Sequence, residues 1–190
     1  MGEPARKLGA TFAEYIACDE ASELKHEYVD GEIFAMSGGT PAHALLAANM
    51  IGELRTALRT RPCYAFGADL RIRVQETGLA TYPDVSVVCG KLERDPENAN
   101  TVTNPVVIVE VLSPSTEKYD RHQKFDHYRL IPTLRDYLLV SQDKRHVAHY
   151  ARNADDSWTL RDIRPPTELM LASLGCTLSL EALYERVFDL

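Results

Sequence analysis

Two carboxylates stand where strand-forming sequence should have none. Asp84 lies in Tyr82-Pro83-Asp84-Val85-Ser86-Val87-Val88 and Glu110 in Val106-Val107-Ile108-Val109-Glu110-Val111-Leu112. Each run is short and β-branched, the pattern of a buried strand. A carboxylate buried there is costly unless it is paired, protonated or bound to a metal. Side chains alternate along a strand, so Asp84, Ser86 and Val88 share a face, and so do Ile108, Glu110 and Leu112. If the two strands are neighbours, the carboxylates converge. Two oxygen donors suit a magnesium or manganese ion completed by waters and phosphate oxygens, and such an ion polarises a phosphodiester and acidifies an attacking water. The competing reading is structural: Asp84 caps a strand end after Pro83, and Glu110 pairs with a lysine or arginine.

Lys124 is the third group. In the stretch from Tyr119 to Tyr128, Asp120, Lys124 and Tyr128 are four apart and share one face of a helix. That helix follows directly from the strand of Glu110, so Lys124 can point back to the carboxylates, where an ammonium offsets developing negative charge. The plain alternative is a surface salt bridge with Asp120. His43, behind Gly38-Gly39 at a helix start, is placed to contact phosphate or move a proton, unless it is structural. His146 and His149 are three apart on a strand, face opposite sides and do not chelate. There is no Walker loop, zinc spacing or Gly-x-Ser-x-Gly elbow.

The elements that must position these groups read as follows. Thr11 caps a helix through about Asp19, with Glu14 completing a capping box. Asp30-Gly31 turns a hairpin between two alternating runs over 25–36. A long helix over 41–60 places Leu45, Ala48, Ile51, Leu54 and Leu58 near helical spacing. Strands follow at 63–66, 70–75 and 84–89, then a polar segment, 91–104, expected as an exposed loop. The strand 106–112 leads into a helix over 116–130. Strands at 135–141, 146–152 and 158–163 and a short helix over 179–187 complete the chain. This order is α/β, a mixed central β-sheet flanked by helices, with a βαβ unit across the Glu110 strand.

With 190 residues, 45% hydrophobic and 26% charged, the chain is expected to be one domain, 1–190, of ordinary globular composition. No apolar run reaches the roughly 20 residues of a membrane span. The start, Met1 to Thr11, lacks the apolar core of a secretory signal. The four cysteines, Cys18, Cys63, Cys89 and Cys176, are scattered, so reduced thiols and a cytoplasmic location are expected. The net charge of −7 argues against a broad basic surface. Any positive field must be local, around Arg55, Arg59, Arg61, Arg71 and Arg73, or around Lys118, Arg121, Lys124 and Arg129.

Five segments in this order carry a resemblance: Tyr28-Val29-Asp30-Gly31-Glu32-Ile33, Pro41-Ala42-His43, Tyr82-Pro83-Asp84-Val85-Ser86, Ile108-Val109-Glu110-Val111-Leu112-Ser113-Pro114-Ser115, and 120–128. Together the chain resembles the Uma-type restriction endonuclease family, within the nuclease superfamily named for its PD-(D/E)XK motif. The resemblance implies a restriction-endonuclease-like core in which Asp84 and Glu110 bind magnesium and a lysine assists. It departs at one position: Leu112 stands where the motif has its lysine, and Lys124 is the natural substitute. The Lys124-to-Tyr128 spacing is similar to the Gln-x-x-x-Tyr helix motif of the exonuclease branch, so Tyr128 joins His43 as an expected substrate contact. The resemblance also implies an acidic residue from the N-terminal region near the metal, here Glu27, whose alternative is an exposed strand-edge charge. It favours DNA as partner and a homodimer, with an apolar C-terminal part (169–190) as candidate contact surface.

Three functions compete. One is a metal-dependent DNA phosphodiesterase. Another is a catalytically inactive nuclease-fold dimer serving as a binding or regulatory module, which the acidic charge and Leu112 favour. A hydrolase of small phosphorylated substrates is the third.

Overall fold

The computed structural model describes residues 9–190, so most of the stretch read as lacking a secretory leader lies outside the described residues. Helix α1 (Phe12–Glu20) starts as the capping pattern dictates: the Thr11 hydroxyl accepts from Glu14 N at 3.2 Å, and the Glu14 carboxylate accepts from Thr11 N at 2.9 Å. Strands β1 (His26–Val29) and β2 (Glu32–Ala35) are joined through Asp30 and Gly31, at φ 50° and 80°. A tight hairpin demands positive φ there, which glycine adopts freely and aspartate tolerates. Helix α2 (Pro41–Ala57) has Thr40 as N-cap and proline in its first turn. Leu46, Met50, Leu54 and Leu58 form its buried stripe.

The chain continues through β3 (Cys63–Gly67), β4 (Arg71–Arg73), β5 (Ala80–Thr81), β6 (Val85–Cys89), β7 (Arg94–Asp95), β8 (Asn98–Val102) and β9 (Val107–Leu112). Helix α3 follows, an α-turn (Glu117–Tyr119), a π-turn (Asp120–Lys124) and another α-turn (Phe125–Tyr128). Strands β10 (Asp136–Ser141), β11 (Val147–Arg152), β12 (Trp158–Ile163), β13 (Leu169–Leu171) and β14 (Cys176–Leu178) precede a short helix (Leu180–Leu183).

Among the described residues the central sheet has the order β12-β11-β10-β9-β6-β3. β9 and β10 run parallel, joined by α3, and the other neighbours are antiparallel. The pleat of β9 divides the core. Val107, Val109 and Val111 pack under α2 with Leu46, Met50 and Leu54. Ile108 and Leu112 face the α3 side with Tyr128, Tyr137 and Leu139. Glu110 has the parity of this second face. The expected mixed sheet between helices is therefore what forms.

A second sheet, β2-β1-β5-β4-β8-β7, carries α1 through Phe12, Tyr15, Ile33 and Ala80. It corrects the reading of 91–104 as an exposed loop. That segment holds β7 and β8, with Asp95, Thr101, Val102 and Asn104 buried. Its polar residues are satisfied internally: Arg73 pairs with Asp95 at 3.0 Å and Arg71 donates to Thr101 at 3.1 Å. The cysteine reading is corrected too. Cys63 and Cys89 form a disulfide, 26 residues apart in sequence, because the β3–β6 register sets them directly opposite. Among the described residues no helix is long and apolar enough to cross a membrane.

Candidate active site

The antiparallel register of β6 and β9 pairs Val85 with Val109 and Ser86 with Ile108. Asp84, just ahead of β6, thereby arrives beside Glu110 and Val111. Its Oδ2 accepts from Val111 N at 2.7 Å and lies 3.2 Å from His43 Nε2. Asp84 and Glu110 both line a cavity of about 320 Å³, together with His43, Asp120, Lys124 and Gln142. One wall is the N-terminal turn of α2. Thr40, its cap, donates to Gln142 at 2.7 Å, and Gln142 donates to Leu112 O at 2.8 Å, tying α2 to the end of β9.

Glu110 is buried, and two donors converge on a single oxygen: Lys124 Nζ at 3.0 Å and the Tyr128 hydroxyl at 2.8 Å both reach Oε1. Burial lifts the Glu110 carboxyl well above the ordinary glutamate range; Lys124 opposes this, and Asp120 and Asp84 add to it. Lys124 is itself buried, with Nζ 3.3 Å from Asp120 Oδ1 and 3.9 Å from Glu27 Oε2. Burial works against its charge, but the carboxylates of Glu110, Glu27 and Asp120 outweigh that and hold it firmly as an ammonium. The hydrogen bond from His43 to Asp84 raises the imidazole above its usual range despite partial burial.

The π-turn of α3 delivers Lys124. A π-turn widens the helix and leaves backbone groups needing other partners. Here the Tyr137 hydroxyl donates to Asp120 O at 2.9 Å. Phe125 anchors the helix, its ring 4.5 Å from that of Tyr150 and stacked at 5.8 Å on Tyr137. Asp120, read only as a helical neighbour of Lys124, is buried at the cavity wall, and its Oδ1 makes no hydrogen bond among the described residues.

Two expected site residues sit elsewhere than expected. Tyr128 is fully buried beneath Glu110, so the expected substrate contact is corrected: its hydroxyl orients the carboxylate instead. Glu27 is buried rather than an exposed strand-edge charge, since β1 lies between β2 and β5 and Tyr119 and Lys124 of α3 reach its carboxylate. Its Oε2 accepts from Thr81 at 2.6 Å and its Oε1 from the Tyr119 hydroxyl. It lines a neighbouring cavity of about 90 Å³, with Lys124 on the wall between the two.

A supporting network escaped the sequence reading altogether. Buried Asp19 accepts from Arg71, from Tyr82 and from His26 N, so the residue two before Asp84 is held by the end of α1. An acidic residue in the last turn of a helix opposes the helix dipole, and that anomaly is the signal that could have pointed to a buried partner.

The donor set suits a hard divalent cation. The contacts to Asp84 fall on Oδ2 and those to Glu110 on Oε1, so Oδ1 and Oε2 carry no hydrogen bond among the described residues. Carboxylate oxygens of this kind are what magnesium and manganese take. Among the described residues no group of three His, Cys, Asp or Glu side chains is arranged to hold a metal ion, so waters and substrate oxygens would complete the coordination.

Comparison with known proteins follows the same line. A family described as "Putative restriction endonuclease" (Uma2) matches residues 12–182. The chain is similar to two proteins of Synechocystis sp., both named as uncharacterized. One is 37% identical over 171 residues, 90% of this chain and 89% of that one. The other is 35% identical over 153 residues, 80% of this chain and 86% of that one. In fold it is similar to a crystal structure from Anabaena variabilis, titled a "putative nuclease belonging to DUF820". The TM-score is 0.72 at 20% identity, over 87% of this chain and 93% of that one.

Proposed function

The chain belongs to the Uma2 restriction endonuclease family, and on that premise we propose that it is a divalent-metal-dependent phosphodiesterase acting on DNA. One observation carries the reading: Asp84 and Glu110 face one cavity with an unengaged oxygen each, and a buried ammonium stands 3.0 Å from Glu110. Magnesium or manganese held by Asp84 and Glu110 would supply Lewis acidity toward a phosphoryl oxygen and a more acidic water.

The chain's own groups then divide the work. Tyr128 and Lys124 lock the Glu110 carboxylate through its Oε1 edge. Lys124 presents a fixed positive charge at the cavity wall, where phosphoryl oxygens gain negative charge, and needs no reorganisation to do so. Glu27, Tyr119 and Asp120 brace that ammonium. His43 Nε2 is held by Asp84, and it can donate to a phosphate oxygen or to the departing alkoxide once it exchanges that partner. Glu27 is a direct metal ligand in this proposal only if Thr81 and Tyr119 release it.

The test is cleavage of supercoiled plasmid with magnesium, manganese or neither. Wild type should nick with metal, and Asp84→Asn and Glu110→Gln should abolish nicking while keeping the fold. A second reading, a binding module on an inactive nuclease fold, is favoured by Leu112 in the motif's lysine position and by the ion pair already closed between Lys124 and Glu110. DNA binding without cleavage under any divalent metal would support it. We also propose a homodimer, since cutting both strands needs two sites, and Met170, Phe188 and Leu190 are exposed apolar groups of the C-terminal part. Light scattering that gives a monomer mass at high concentration would refute it.

A further inference from the structure

A chain of net charge −7 that binds DNA has to concentrate its positive charge locally. The catalytic cavity does not: Asp84, Glu110 and Asp120 line it against Lys124 and His43. Of the five clustered arginines in this part of the chain, Arg71 is committed to Asp19, and Arg73 to Asp95 and Glu97. Arg55 and Arg59 are exposed and make no ion pair among the described residues. Arg61 donates to the carbonyls of Leu174 and Gly175, which fixes its position and leaves its charge uncompensated.

These three arginines line a groove of about 820 Å³ with Gly52, Tyr64 and Phe66, and none of its described lining residues is Asp or Glu. Gly52, Arg55 and Arg59 are spaced to share one side of α2 and the turn that follows it. A Cβ built on Gly52 meets nothing within 4 Å, so the groove is open at that point. The other wall is β3, which stands at the end of the central sheet. Tyr64 on β3 is 56% exposed, with its ring 6.4 Å from that of Phe66. The register Gly67↔Val85 brings the far end of β3 beside the residue that follows Asp84. β3 therefore leads from the groove, whose strand lining is Cys63 to Phe66, toward the catalytic cavity over five residues. That is about 16 Å, on the order of five nucleotides of duplex rise.

We propose that this groove holds the phosphate backbone of DNA flanking the scissile bond, with Arg55, Arg59 and Arg61 on phosphates and Tyr64 against a sugar or base face. The inference rests on DNA being the substrate. Arginine suits phosphate by its forked geometry, and Tyr64, on the side of β3 turned away from α2 but exposed at the sheet edge, adds stacking.

The experiment is fluorescence anisotropy of a labelled duplex with the full chain in EDTA, so that cleavage is off, from about 50 to about 200 mM salt. Arg55→Ala/Arg59→Ala should lower the magnitude of the log–log salt slope by about 1.8. Over that fourfold range, the loss of affinity should then be about twelvefold smaller than for wild type. Gly52→Glu should weaken binding as well. It replaces a helix-interior glycine with a better helix former, so unfolding would not explain the loss. Manganese binding should be unchanged in both variants. Wild-type salt slopes in both, with wild-type plasmid cleavage, would overturn the groove and leave the DNA reading standing. A wild-type chain that binds no duplex at any salt would overturn both.

Discussion

Replacing Lys124 with methionine removes a charge and keeps an unbranched side chain of similar length. The ammonium sits 3.0 Å from Glu110, 3.3 Å from Asp120 and 3.9 Å from Glu27. At an effective dielectric of about 20, the 3.0 Å contact alone corresponds to about 5.5 kcal/mol of attraction. Removing one partner of a buried pair costs about 3–5 kcal/mol in practice. Proton uptake limits the loss, because Glu110 is already raised by burial. A carboxyl raised above its unfolded value is protonated in the native state and ionised in the unfolded state between the two pKa values. The native state then binds more protons, and stability falls as pH rises through that window. Without Lys124 the window extends upward, at about 1.4 kcal/mol per unit. Because wild-type Glu110 already sits at about 8, the gap opens only above that pH: Lys124→Met is expected within about 1 kcal/mol of wild type near pH 5 and about 3 kcal/mol below it at about pH 9.5. Urea unfolding at both pH values measures this. Metal-dependent plasmid nicking should fall about 10²–10³-fold, and Lys124→Arg should not fully restore it, since the planar guanidinium cannot reproduce a point charge in this space. An equal stability gap at both pH values, or undiminished nicking, would refute the reasoning.

Three further outcomes are expected. Tyr128→Phe keeps the packing against Tyr137, at 5.4 Å between rings, and loses only the bond to Glu110; it should cost about 0.5–1.5 kcal/mol near neutral pH, where the raised Glu110 carboxyl is largely protonated, and a cost of about 3 kcal/mol there would mean that the group is charged instead. Manganese affinity measured by calorimetry should weaken as pH falls, starting at higher pH than for an ordinary glutamate, because the raised Glu110 carboxyl must lose its proton to bind; an affinity flat across neutral and mildly acidic pH would count against Glu110 as ligand. Asp19→Asn should destabilise by about 3 kcal/mol near neutral pH, by breaking the buried pair with Arg71. Although burial resists it, the bonds from Tyr82, Arg71 and His26 N lower the Asp19 carboxyl, so its contribution is full above the unfolded aspartate pKa and disappears as pH falls through the folded one. A gap that persists unchanged in strong acid would exclude this account.

The candidate site was legible wherever a residue conflicted with its local pattern. Asp84 and Glu110 announced themselves as carboxylates in β-branched runs, Lys124 by its helical spacing, and α1 and the β1–β2 turn by their capping box and Asp-Gly pair. Those signals are short-range, carried by dihedral preferences and by periodicity over a few residues. The second sheet was not legible in full, because strands such as Arg71–Arg73 and Ala80–Thr81 are too short to show a period and their buried polar groups mimic a loop. Pairing across the chain was decided by register alone. It set Cys63 opposite Cys89, brought Asp19 to Arg71 and Tyr82, and turned Tyr128 under Glu110 and Glu27 toward Tyr119. A one-residue shift of β6 against β9 would send Asp84 to the opposite face of the sheet. No residue's own preferences encode that choice. It comes from burying both faces of β9 at once, the valines under α2 and the Glu110 face under α3.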